Sequence, residues 1–305
     1  MPGPTGVLAI DKPPGITSHG VVAVIRRTLR TRKVGHAGTL DPMATGLLLI
    51  GVGSATRLLG YLARSDKEYL ATVRLGAATV TDDAAGEVRY RADPARVNAL
   101  QSAHVHSAID RLSGQILQVP SAVSAIKVSG TRSYARVRAG EEVSLAARPV
   151  EVTAFDVLAE RAGDGWLELD VRVACSTGTY IRALARDLGE DLQVGGHLTR
   201  LRRTRIGSWQ VSDAIDLDAL QADPAPLNYL VGLGKAAAAS LPVQVVDESL
   251  ASHVRHGRPI PWPTQAPAST GGMDAPIAIM DSNGSLLALA HRDGAQARYL
   301  AVLAT

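Results

Sequence analysis

One cysteine in 305 residues leaves no intramolecular disulfide and no cysteine-rich zinc or iron–sulfur centre. That residue, Cys175, fits a reducing compartment. Aromatic side chains are only 4% of the chain, with a single phenylalanine, so the core has to be built from Leu, Val, Ile and Ala. The longest apolar run, Leu47 to Val52, is broken by Gly51 and falls well short of a membrane span. The N-terminal MPGPTGVLAIDKPPG has no basic stretch ahead of a long apolar one. No signal peptide is therefore expected, and the chain reads as cytoplasmic. No Gly-x-x-x-x-Gly-Lys-Ser/Thr occurs, because Lys235 is followed by alanine, and no Gly-x-Gly-x-x-Gly joins a predicted strand to a helix. These absences exclude P-loop and dinucleotide-fold chemistry, and no cofactor or metal is expected.

Hydrophobic residues make up 46% and charged residues 20%, which supplies a proper core and excludes disorder as the dominant state. The net charge of +3 hides an uneven distribution. Residues 1–80 hold ten Lys/Arg against four Asp/Glu, and residues 182–205 hold six Arg against three acids. Of 32 basic residues only five are lysine, so the positive charge is mostly guanidinium, whose planar fork suits phosphate. A surface for a polyanion such as nucleic acid explains this pattern. Arginine-favouring codons with ordinary solvated faces explain it equally, and charge alone does not choose.

Along the chain, residues 6–10 read as a buried strand, and Val22, Ile25 and Leu29 as one face of a helix from Ser18 to Arg30, with Ser18 as N-cap. Residues 31–46 read as a loop, Leu47–Val52 as a buried strand, and Ser54 to Ala63 as a helix. Residues 67–75 alternate, with Tyr69, Ala71, Val73 and Leu75 on one face. A helix over about 94–112, a strand around 116–127, and a short helix near Ser133–Ala139 follow. Val150–Leu158 and Trp166–Ala174 read as an antiparallel pair, and Thr179–Leu192 as a helix. Strands and helices without strict alternation argue for an α+β fold with a mixed, largely antiparallel sheet flanked by helices. Composition shifts near Ala236–Ser240, and residues 241–305, rich in Pro and Gly turns, read as a small all-β domain after a domain spanning 1–240.

The segment GHAGTLDPMATG, Gly35 to Gly46, is the most unusual in the chain. Pro42 keeps Asp41 out of the α region, and three glycines permit close backbone approach, so the loop can hold one carboxylate rigidly in a cleft. An Asx turn, in which Asp41 merely caps backbone, accounts for the same residues.

Five stretches settle the comparison: GVLAIDKPPGITS (6–18), VGHAGTLDPMATGLLLIGVGSATRL (34–58), DKEYLATVRLGAATVTDDAAGE (66–87), PSAVSAIKVSGTRSYARVRAGEEV (120–143) and CSTGTYIRALARDLGEDLQVGGHLTRLRRTRIG (175–207). In this order, over roughly two thirds of the chain, they resemble the TruB family of tRNA pseudouridine-55 synthases. The resemblance implies a pseudouridine synthase fold with a C-terminal PUA-like RNA-binding domain at 241–305. It also implies isomerisation of a uridine in the TΨC loop of tRNA, with Asp41 as the catalytic aspartate. Tyr69 matches a tyrosine that stacks on the target base. Arg182 matches an arginine paired with the aspartate, and Tyr180 and Leu201 match residues lining the uracil pocket. His36 matches one that contacts the target nucleotide. Lys12, Pro13 and Asp83 fall in family motifs as structural support, with Asp83 also able to tune the Arg182–Asp41 pair.

The implied chemistry is coherent, because an isomerisation needs no redox partner or group donor. A carboxylate can act as nucleophile at an anomeric carbon, and a base in a stem–loop must be flipped out to react. Attack on the sugar, attack on the base and removal of a sugar proton all fit the sequence. The expected partner is the tRNA TΨC stem–loop, with no membrane, no obligatory protein partner and a monomeric state. Three other readings fit the same residues: an RNA-binding protein that keeps the scaffold without activity, an aspartyl-phosphate hydrolase starting at Asp41, and a synthase of the same fold acting on other RNA. The second lacks its second carboxylate, since Met43 stands two residues on. Cys175 as a thiolate nucleophile has little support, since a lone cysteine at a strand end is usually buried and inert.

Overall fold

The computed structural model describes residues 3–122, 127–128, 131–132, 145–262 and 276–303. Its contacts divide the chain into two units. The first comprises Met1–Pro42, Gly46–Ser65 and Ile206–Thr305, and the second Met43–Thr45 and Asp66–Arg205. The expected helix near Ser133–Ala139 lies outside the described residues.

In the first unit, strand Gly6–Lys12 runs antiparallel to Thr45–Val52 and parallel to the short Ile215–Asp216. Both long strands are apolar on both faces, as a sheet interior requires, and Val7, Leu8, Ile10 and Leu47 to Ile50 have no solvent exposure. Helix Ser18–Thr28 buries Val21, Val22, Val24 and Ile25, and places Arg26 and Arg27 in its last turn, where the helix dipole favours cations. Thr17, not Ser18, is the N-cap: its hydroxyl accepts from the Gly20 N–H. The segment 31–46 is not all loop, because Val34–Ala37 forms a strand against Thr45–Val52. Gly35 within the strand and Gly38 just after it conceal the pattern. The expected helix from Ser54 splits into a 3-10 turn, Gly53–Arg57, and a single turn at Leu59–Leu62.

The C-terminal segment carries a four-stranded sheet in which Val243–Val245 runs parallel to Ile277–Met280, followed by Leu286–Asp293 and Gln296–Val302 in antiparallel order. The all-β expectation needs one amendment, since helix Glu248–Arg255, capped by Asp247, lies between the first two strands. Ala278, Met280, Leu286 and Leu289 of this sheet share a core with Val7, Leu47, Leu49 and Leu58.

In the second unit, Lys67–Leu75 lies between Gly196–Ile206 and Trp166–Cys175, and the order continues through Arg148–Gly163 to Gly114–Gln118. The alternation read in 67–75 holds, with Tyr69, Ala71, Val73 and Leu75 all buried. The single helix expected over 94–112 is two, Pro94–Asn98 and Ser102–Arg111, the first capped by Asp93. Helix Ile181–Asp191 packs its apolar face inward and meets Gly196 through Gly189, where an added Cβ would lie 2.0 Å from the Gly196 nitrogen. Gly189→Ala should therefore lower stability by about 3 kcal/mol, at the upper end for overpacking, because rigid backbone rather than a movable side chain stands in the way. Denaturant unfolding measures this, and an unchanged midpoint would contradict it.

Candidate active site

The loop that carries Asp41 is held from beneath by two side chains of the first unit. Lys12 is fully buried and donates from Nζ to the carbonyls of Pro13 and Ile16, both at 2.9 Å, and of Pro42 at 3.3 Å. A buried ammonium is costly unless its protons are satisfied, so these carbonyls are tied to one point. The Gly15 N–H donates to the same Pro42 carbonyl at 2.8 Å, joining the DKPPG turn to the peptide just after Asp41. Ser18, released from capping, donates through its hydroxyl to the Leu40 carbonyl at 3.1 Å and accepts from the Leu40 N–H at 2.9 Å. Asp41 is thus flanked by two anchored residues and is itself half-buried. His36, on the entering strand, meets the ring of His19 edge-on, with centroids 5.1 Å apart.

Ser18→Ala strands a buried N–H and a buried carbonyl at Leu40. It should cost about 1–3 kcal/mol, the penalty for unsatisfied buried groups. Denaturant unfolding checks this, and a wild-type midpoint would refute it.

The second unit holds Tyr69, Asp83, Tyr180, Arg182 and Leu201. Tyr69 is buried on strand Lys67–Leu75, and Leu201 is buried on the neighbouring strand Gly196–Ile206. Arg182 sits in the first turn of helix Ile181–Asp191, yet its side chain is only 5% exposed. Its Nη1 donates to the Thr81 carbonyl at 2.8 Å and lies 3.5 Å from Asp83 Oδ2. Asp83 is itself fixed, because its Oδ1 accepts from the Thr81 hydroxyl at 2.6 Å and from the Ala85 N–H at 3.0 Å. The loop carrying it is stitched to strand Gly196–Ile206 by Leu198 N–H to the Asp82 carbonyl and Ala84 N–H to the Leu198 carbonyl. Tyr180 begins the helix with its backbone gripped by Gln118. The Tyr180 N–H donates to Oε1 at 2.8 Å, and Nε2 donates to the Tyr180 carbonyl at 3.1 Å.

Several residues here escaped the sequence reading. Gln118 is 1% exposed and bonds both the N–H and the carbonyl of Tyr180. Arg203 is also 1% exposed, although it stands in an arginine run that reads as solvated. Lys67 is buried too, and its amine is lowered to about 8, first by burial and then by the nearby Arg203. Lys67 lies two residues before Tyr69, so extending the alternation one step would have placed it on the same face. Cys175, the cross-strand partner of Lys67, is buried, and burial raises its thiol to about 11. A thiol at that value is almost wholly protonated at neutral pH and does not act as a nucleophile.

Among the described residues no group of three or more His, Cys, Asp or Glu is placed to hold a metal ion. Nor is any described helix long and apolar enough to cross a membrane.

Among solved structures the chain is similar, at 27% identity and a TM-score of 0.74, to a chain of "Crystal Structure of a Cbf5-Nop10-Gar1 Complex". That match covers 97% of this chain and 84% of the other. A second, titled "Structure of H/ACA RNP bound to a substrate RNA containing 2'-deoxyuridine", matches at 26% identity and a TM-score of 0.73, covering 98% and 85%. Residues 26–181 match the TruB family pseudouridylate synthase N-terminal domain, and residues 182–228 the tRNA pseudouridylate synthase B C-terminal domain. The tRNA pseudouridine synthase B of Leifsonia xyli is 50% identical over 97% of this chain and 95% of its own length. That of Cutibacterium acnes is 49% identical over 98% of both. The chain belongs to the TruB family of pseudouridylate synthases.

Proposed function

We propose that the chain converts uridine 55 in the TΨC loop of tRNA to pseudouridine, acting as a monomer in the cytoplasm without a cofactor or an obligatory protein partner. The observation that carries this reading is near full-length identity of about one half to proteins named tRNA pseudouridine synthase B, together with an Asp41 loop anchored at both ends. The N1–C1′ bond of the uridine breaks, the base turns within the pocket, and C5 bonds to C1′. C5 gives up its proton, and N1 takes one. No electrons change hands, so no redox partner is required.

Asp41 is the catalytic carboxylate, and the Arg182 guanidinium orients it. Tyr69 stacks on the extruded base, Tyr180 and Leu201 line its pocket, and His36 meets the target nucleotide. Lys12 and Asp83 support these groups, Lys12 through the Pro42 carbonyl and Asp83 through Arg182. The arginine cluster at 26–33 and, from the cluster at 200–205, Arg200, Arg202 and Arg205 meet backbone phosphates, which supply most of the affinity, whereas Arg203 is buried and does not. Residues 241–305, in this reading, form a PUA-like domain touching RNA away from the reaction.

The test is modification mapping of total tRNA from cells with and without this chain. Loss of pseudouridine at position 55 alone, restored by the wild-type gene, is expected. An unchanged position 55, or loss at unrelated RNA sites, overturns the assignment.

A further inference from the structure

Helix Ile181–Asp191 carries two arginines four residues apart, at 182 and 186, hence on one face. The loop after strand Ala77–Thr79 offers two consecutive aspartates, 82 and 83. The four residues pair in two rungs: Arg182 Nη1 with Asp83 Oδ2 and Arg186 Nη1 with Asp82 Oδ2, each at 3.5 Å. Asp82 has a left-handed backbone (φ 59°), which turns the chain between the two carboxylates so that each meets a different arginine. The second rung is well shielded, with side chains 15% and 11% exposed. Burial pushes the Asp82 carboxyl up, while the Ser121 hydroxyl and then Arg186, Arg182 and Arg89 oppose that rise.

Arg186 does more than pair with Asp82. Its Nη2 donates to the Val119 carbonyl at 2.7 Å, and its Nε and Nη2 donate to Asp187 Oδ1 at 2.9 and 2.7 Å. One guanidinium therefore bridges the helix, the Asp82–Asp83 loop and the end of strand Gly114–Gln118, whose Gln118 already grips Tyr180. The same loop supplies the Thr81 carbonyl and the Asp83 carboxylate that hold Arg182.

We propose that Arg186, coupled to Asp82, is a positioning residue for the isomerisation: it fixes the Asp82–Asp83 loop against the helix and so sets the direction of the Arg182 guanidinium. This rests on the role given to Arg182 above. Without Arg186, Asp82 loses its nearest counter-charge and the loop one of its ties to the helix, so Arg182 samples other orientations.

A double-mutant cycle on the full-length chain, turning over a TΨC stem–loop transcript, tests it. Arg186→Gln and Asp82→Asn should each lower kcat about 10-fold with KM within about twofold, and the double variant should be no worse than either alone, the signature of coupled residues. Arg186→Lys, which keeps the charge, should recover kcat to within about threefold of wild type. Losses that multiply in the double variant, a change in KM alone, or an unaffected kcat in Arg186→Gln would each overturn the proposal. If Arg186→Gln does not fold, the cycle of Arg186→Lys with Asp82→Asn decides by the same criterion. Arg182→Lys is run alongside. Full turnover there removes the role of Arg182 itself, whereas loss there with an unaffected Arg186→Gln removes only this inference.

Discussion

Asp41→Asn should lower kcat for pseudouridine formation by more than about 10³-fold, the scale on which loss of a principal catalytic group acts. Affinity for the stem–loop should stay within about threefold, because phosphate contacts carry most of the binding. Asparagine preserves size and leaves in place the bonds of Lys12 to the Pro42 carbonyl and of Ser18 to the Leu40 backbone. What is lost is the negative charge and with it any capacity to attack carbon or take a proton. Parallel turnover and binding measurements separate the two effects. Retained turnover would remove Asp41 from the chemistry, and a comparable loss of binding would make it a docking residue.

Arg182→Lys should depress kcat about 100-fold, comparable to losing one preorganised electrostatic group, and move affinity by less than about threefold. The guanidinium engages the Thr81 carbonyl and the Asp83 carboxylate from a site almost closed to solvent. A lysine ammonium is a point donor on a flexible stem and does not reproduce a planar, multi-point clamp. It also demands more hydration than the site provides. A kcat-against-KM comparison reads this directly, and an unaltered kcat would show that orientation by Arg182 is irrelevant to the reaction.

Much of the scaffold was written in patterns a chain can display locally. The alternation of Tyr69, Ala71, Val73 and Leu75 announced a strand with one buried face, and the apolar run Leu47–Val52 a central one. Other elements were hidden by residues that broke their own rule. Strand Val34–Ala37 looked like loop because glycine blurs the period, and Gly196–Ile206 looked like a charged surface because Arg203 occupies an inward position. Ser18 matched an N-cap by type, but the neighbouring Thr17 took that role and freed Ser18 for Leu40. Which of two adjacent hydroxyls caps a helix depends on a partner 22 residues away, which no local pattern contains. The supporting network was least legible of all. Gln118 reaches Tyr180 across 62 positions and Arg186 reaches Asp82 across 104, so their pairing exists only once the sheet has formed.

Release of tritium from a TΨC stem–loop carrying [5-³H]uridine at the target position tests the central claim most directly. Forming the C5–C1′ bond expels the hydrogen on C5, so each completed isomerisation frees one label to water. The account predicts stoichiometric release by the wild-type chain, none from label placed at other uridines, and none by Asp41→Asn while that variant still binds the RNA. A wild-type chain that binds the stem–loop tightly yet leaves the label in place would contradict it.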